Sequence, residues 1–126
     1  MDAKSGKAAK RVPASHADPL ARERTQFLVD RFGSRGLARM IGVSPSQPTR
    51  WAQGKEHPGP DSATLLIDLE HILARARLVW GEPTAIDWFS GHNAYLQGAR
   101  PIDVLKLRGP APVLDALHAE MWGGAA

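Results

Sequence analysis

The sequence predicts an all-α fold, a bundle of short helices followed by a smaller helical module. Three observations predict it. No stretch of useful length alternates apolar and polar residues with the period of two that a half-buried strand requires. Apolar residues instead recur at intervals of three and four, most clearly at Leu65, Leu66, Leu69, Ile72 and Leu73. Gly33, Gly42, Gly54, Gly81 and Gly109 fall between these stretches, where glycines end helices or turn the chain.

Taken in order, residues 1–17 carry Lys4, Lys7, Lys10 and Arg11 among small residues and read as a flexible basic tail. Asp18 is a good N-cap and Pro19 suits the first helical position, so a first helix is expected from there to Phe32, with Leu20, Phe27, Leu28 and Phe32 on its apolar side. A second short helix is expected over 34–41 and, after Gly42, a third over 44–53. Ser44 and Gln47 have the spacing of a capping box. Pro48 conflicts with that start, because it cannot donate the backbone hydrogen bond due near the end of the first turn; this leaves a later start or a distorted turn. Residues 54–60 hold two glycines and two prolines and form a loop before a long helix over 61–78. A shorter helix through Ile86, Trp88 and Phe89 leads into irregular chain over 90–98. Pro101 opens another helix, and a last one runs from about Pro112 to Trp122, with Val113, Leu114, Leu117 and Met121 on one stripe.

Composition narrows the function classes. A 126-residue chain with 43% hydrophobic and 23% charged residues is globular in type and leaves little room for a catalytic scaffold. Zero cysteines exclude disulfides and thiol chemistry. No apolar run approaches the ~20 residues that span a bilayer, so no membrane association and a cytoplasmic location are expected. Residues 1–60 carry 11 Lys and Arg against 5 Asp and Glu, a net +6, whereas residues 61–126 carry 5 against 8, a net −3. Positive charge of that size attracts a phosphate backbone without choosing a sequence. It points to DNA only when a reading element accompanies it.

Such an element is present in residues 34–53. Ala38 is small enough for two helices to approach, Leu37 and Ile41 face a core, Gly42 permits a left-handed turn, Val43 packs under it, and Trp51 anchors the next helix. This segment resembles the Xre/Cro-type helix-turn-helix, which implies an Xre/Cro-like DNA-binding domain over 18–80. With Trp51 inward, Ser44, Ser46, Gln47 and Arg50 fall on the outward N-terminal face of the recognition helix. Gln47 could pair with an adenine edge and Arg50 with guanine or phosphate, while Ser44, Ser46 and Lys55 are placed for phosphate. Arg35 and Arg39 read equally well as surface charge and as phosphate contacts.

From Trp88 onward, the tryptophan followed by Asn93, Leu96, Gly98 and Pro101, and the terminal Met121-Trp122-Gly123-Gly124, resemble the toxin-binding domain of the Xre/MbcA/ParS antitoxin family. The resemblance covers the last 45 residues or so and implies a toxin-binding module over 81–126. In that family the cognate toxin commonly carries a RES domain and consumes NAD, and the antitoxin obstructs its active site. The resemblance makes Arg100, Met121, Trp122, Gly123 and Gly124 toxin-facing. It implies an antitoxin of a type II toxin-antitoxin system that represses its own operon by binding operator DNA. Symmetry favours a homodimer or a larger hetero-oligomer with toxin. The alternative is a stand-alone Xre-like regulator whose second module dimerises or binds another partner. Trp88, Phe89, Leu96, Val104 and Leu105 read as core.

No enzyme is expected. Three groupings, Asp68 with Glu70 and His71, Asp87 with His92, and Asp115 with His118 and Glu120, place a histidine near acids, but no further ligand follows at a metal-site interval. No phosphate-cradling glycine loop or nucleophile elbow is present, and no cofactor is expected.

Overall fold

The computed structural model describes residues 18–123, whose regular elements are all helical, with no strand among them. The expected basic tail, residues 1–17, and Gly124 lie outside the described residues. Seven α-helices follow in order: α1 Ala21–Phe32, α2 Ser34–Ile41, α3 Gln47–Ala52, α4 Pro60–Arg77, α5 Glu82–Trp88, α6 Pro101–Arg108 and α7 Pro110–His118. A 3-10 turn, Ala94–Leu96, precedes α6, and a π-helical turn, Ala119–Gly123, extends α7. The chain divides into two compact units whose boundary falls inside α4, between Ile67 and Asp68. The boundary expected from the two resemblances lies after residue 80, at the Gly81-Glu82-Pro83 break.

In the N-terminal unit, α1 packs on α2 and α3, and α2 packs on α3. Leu28, Leu37, Ala38 and Trp51 fill the interior, none of them more than 3% exposed. Thr25 is fully buried beside them and is satisfied locally, its hydroxyl donating to the Ala21 carbonyl at 2.7 Å. The apolar side of α1 differs from the expected one. Leu20 lies outside the helix and is 55% exposed, and Phe27 is half-buried under the Arg31 guanidinium, 3.8 Å from the ring centroid. Helix α1 starts three residues after Asp18, yet Asp18 still serves its start: its carboxylate accepts from the Leu20 N–H at 3.1 Å and from Arg24 Nε and Nη2 at 3.0 and 3.2 Å. Hydrogen bonding to Arg24 holds the Asp18 carboxyl below the usual carboxylate range, against a smaller opposing effect of burial.

In the C-terminal unit, α6 packs on α7, and α7 also meets the Ala94–Leu96 turn. Phe89, Val113, Ala116 and Leu117 are fully buried, and Leu96, Val104 and Leu105 nearly so. Apart from Ala116, those positions follow the core expected from the sequence, while Leu114 and Met121 of the expected last stripe are only half-buried. Trp88 also departs from that core, being half-buried, its ring 5.6 Å from Phe89 and 6.2 Å from Trp80. Of the stripe expected on α4, Leu66, Leu69, Ile72 and Leu73 are at most 1% exposed, whereas Leu65 is only half-buried. Burial pushes the Asp68 carboxyl of this helix up, and nearby His71 opposes the shift. No helix among the described residues is long and apolar enough to cross a membrane.

Candidate functional site

The α2–α3 segment is built around Gly42. It ends α2 in the left-handed region (φ +79, ψ +37), which costs glycine little and other residues more, and so lets the chain reverse at once. The N–H groups of Gly42 and Val43 both reach the Ala38 carbonyl, at 2.9 and 3.0 Å, so the end of α2 is satisfied as the chain leaves it. Residues 43–46 then form an irregular turn, and α3 begins at Gln47. That start is three residues later than the capping box suggests, and Pro48 is the reason. As the second residue of α3, it sits where a missing N–H leaves no helical hydrogen bond unmade. Only half of the box forms: Gln47 Oε1 accepts from the Ser44 N–H at 3.2 Å, while the Ser44 side chain caps nothing in α3.

Trp51 is 3% exposed, which turns the opposite side of α3 outward. Ser44, Ser46 and Lys55 are exposed, and Gln47 and Arg50 are partly so. Arg50 is held on two sides, Nη1 donating to Ser46 Oγ at 2.8 Å and Nε to Glu56 Oε2 at 2.9 Å. The Ser34 hydroxyl donates to the Pro45 carbonyl at 3.2 Å and shares a 2.8 Å hydrogen bond with the Thr49 hydroxyl, tying the start of α2 to the turn and to α3. Arg35 and Arg39, one helical turn apart and both exposed, line a groove of about 410 Å³ with Ala38, Val43 and Pro45. Positive charge thus flanks the turn on the α2 side, and hydrogen-bonding side chains flank it on the α3 side.

In the C-terminal unit the candidate residues fall on two elements. Arg100 precedes α6, is exposed, and grips Asp103 through Nε and Nη2 at 2.7 and 3.0 Å. Each group favours the charged form of the other, Arg100 pushed up and Asp103 held down chiefly by their shared hydrogen bonds. Met121, Trp122 and Gly123 belong to the π-helical turn. Met121 is half-buried, and Trp122, at 77% exposed, does not close the last helix against a core. Arg100 and this segment are not joined by a hydrogen bond or ion pair among the described residues.

Two residues that organise these surfaces were not singled out for that role by the sequence. Glu56 is six residues from Arg50, a spacing no helix rule connects. The available signal was charge, since residues 31–55 contain five basic residues and no acid. Glu120 figured only in a histidine-and-acid grouping; its Oε2 instead accepts from Trp88 Nε1 at 3.2 Å and from Asn93 Nδ2 at 3.1 Å. Asn93 is 5% exposed, and its backbone also closes the irregular segment, donating to the Ala99 carbonyl and accepting from the Leu96 and Gly98 N–H groups. Among the described residues no group of three or more histidines and acids could hold a metal ion.

No family model matches the chain, and no curated protein or solved structure shows significant similarity to it.

Proposed function

We propose that the chain is an Xre/MbcA/ParS-like antitoxin, which reads operator DNA with its N-terminal unit and neutralises a RES-domain, NAD-consuming toxin with its C-terminal unit. The observation that carries the reading is Trp122. A large aromatic side chain left 77% exposed at the end of the last helix, in the segment the resemblance assigns to the toxin, suits an interface anchor. The DNA half is supported by the arrangement around Gly42. Ser46 and Arg50 stand on the outward side of α3, the N-terminal side of which enters the major groove in an Xre/Cro-like helix-turn-helix, and Arg35 and Arg39 lie beside the turn for phosphate. Two copies engaging adjacent half-sites would raise affinity, so the protein acts as a dimer or as a larger assembly with toxin in the cytoplasm.

The test is co-purification of the full tagged chain with the product of the adjacent gene, followed by NAD consumption by that product with and without the chain. A stable complex that stops NAD loss is the expected result. No complex and unchanged NAD loss would overturn the antitoxin reading.

The geometry around α3 favours a second reading on its own, that of a stand-alone Xre-like regulator. In that case Arg50→Ala and Gln47→Ala abolish binding to upstream DNA with the fold intact, and no toxin partner exists.

A further inference from the structure

On the outward side of α3 one arginine is already hydrogen-bonded within the chain. Arg50 is anchored by Ser46 one turn before it and by Glu56 from the loop after it, at 2.8 and 2.9 Å. The loop is shaped to deliver that carboxylate. Gly54 takes a left-handed φ of +76, and the Lys55 N–H returns to the Arg50 carbonyl at 2.9 Å, so the chain doubles back and sets Glu56 beside Arg50. As a stabilising pair it counts for little, because both side chains are well exposed, 39% and 45%, and such pairs add about 0–1 kcal/mol. A carboxylate also works against attraction to phosphate in a stretch whose other charges, from Arg31 to Lys55, are all positive. Neither stability nor attraction to phosphate accounts for its placement.

We propose that Glu56 is a positioning residue for sequence reading: it fixes the Arg50 guanidinium so that the remaining N–H groups present a rigid fork to one base. The deduction rests on the DNA-reading proposal above. A guanidinium has five N–H donors in a planar array. With Nε occupied by Glu56 and one N–H of Nη1 by Ser46, three remain on the two terminal nitrogens, enough for the bidentate contact that distinguishes guanine by its O6 and N7. A guanidinium held in this way loses less freedom on binding than a mobile one and meets a misplaced base poorly. The carboxylate simultaneously penalises non-specific phosphate binding, which widens the gap between right and wrong sequences.

The experiment is selection of bound duplexes from a randomised pool by the full chain, then affinities for the selected and a scrambled duplex at one fixed salt concentration. Wild type, Glu56→Ala, Glu56→Gln, Arg50→Ala and the double Arg50→Ala/Glu56→Ala variant are compared, with thermal melts to confirm folding. Glu56→Ala is expected to bind scrambled duplex more tightly and to lose about tenfold in selectivity at a single base pair, within the range for loss of a bidentate base contact. Glu56→Gln, which keeps the acceptor oxygen, recovers most of that selectivity. In the Arg50→Ala background Glu56→Ala changes selectivity no further. Tighter binding by Glu56→Ala with selectivity unchanged would make Glu56 a simple repulsive charge and overturn the proposal, as would an equal effect of Glu56→Ala with and without Arg50. Should wild type select no sequence at all, the DNA-reading proposal falls with it.

Discussion

The outward residues of the N-terminal unit and those of the C-terminal unit differ in kind. Around α3 they are polar and already engaged with one another, Ser34 with Thr49, Ser44 with Gln47, and Arg50 with Ser46 and Glu56. In the C-terminal unit the conspicuous exposed side chains are apolar or aromatic, Leu78, Tyr95, Leu107 and Trp122 each being more than half exposed, while Glu120 is joined to Trp88 and Asn93, and Arg100 to Asp103. On the proposed function, the two surfaces suit two kinds of partner. A polar surface with fixed donors gains most from a charged, directional target and loses affinity as salt rises. Exposed aromatic and aliphatic groups gain from area removed from water, which salt scarcely weakens.

The largest effect tests whether the contrast survives damage to one unit. Phe89→Ala is expected to cost about 3–5 kcal/mol, since it empties a fully buried aromatic position in the C-terminal unit. Chemical denaturation should show that loss, and, on the DNA-reading proposal, a mobility-shift assay should still detect binding if the units act separately. Trp122→Ala should leave the melting temperature within a degree or so and, on the antitoxin proposal, weaken binding of the proposed toxin by about 2 kcal/mol or more, as expected of an aromatic anchor. Titration calorimetry at two salt concentrations checks it, and an equally large change in DNA affinity would blur the distinction between the two surfaces.

Glu120→Ala sharpens the picture of the C-terminal unit. It strands the buried Asn93 amide and frees the Trp88 indole N–H, at an expected cost of about 1–3 kcal/mol. Loss of stability together with a shifted Trp88 indole resonance is the expected outcome. The smallest effect concerns Asp18. Its pKa is lower in the folded chain than in the unfolded one, so its pairing with Arg24 stabilises the fold above about pH 4 and that contribution is lost as pH falls through the depressed value. Asp18→Asn should therefore reduce stability at pH 7 by about 1 kcal/mol and flatten the acid limb of a stability-versus-pH curve.

Helix existence was legible in the sequence because each helix carries its own signal. The Ser34–Ile41 helix lies between two glycines that mark both of its ends, and the bulk of Trp51 directs that side of α3 inward, as the structure bears out. The start of α3 was not legible, because two local rules disagreed there: the Ser44 and Gln47 spacing favoured an early start, and Pro48 ruled for a later one. Leu20 shows a different limit. Its hydrophobicity is real, but periodicity cannot say that a chain has not yet entered the helix. The partners of Arg50 and Glu120 were illegible for a third reason. Arg50 meets Glu56 through a loop, and Glu120 meets Trp88 and Asn93 across 32 and 27 residues, so neither pairing has a local spacing to reveal it.

Five of the seven helices open with a proline at their first or second residue: Pro48, Pro60, Pro83, Pro101 and Pro110. Each ring fixes φ near the value the helix requires before the chain folds. These residues therefore act largely on the unfolded ensemble, by removing conformations that would otherwise be lost, at about 0.4–1 kcal/mol apiece. A small chain with short helices can draw part of its stability from a denatured state already poor in alternatives, and that part is invisible in any inventory of native contacts.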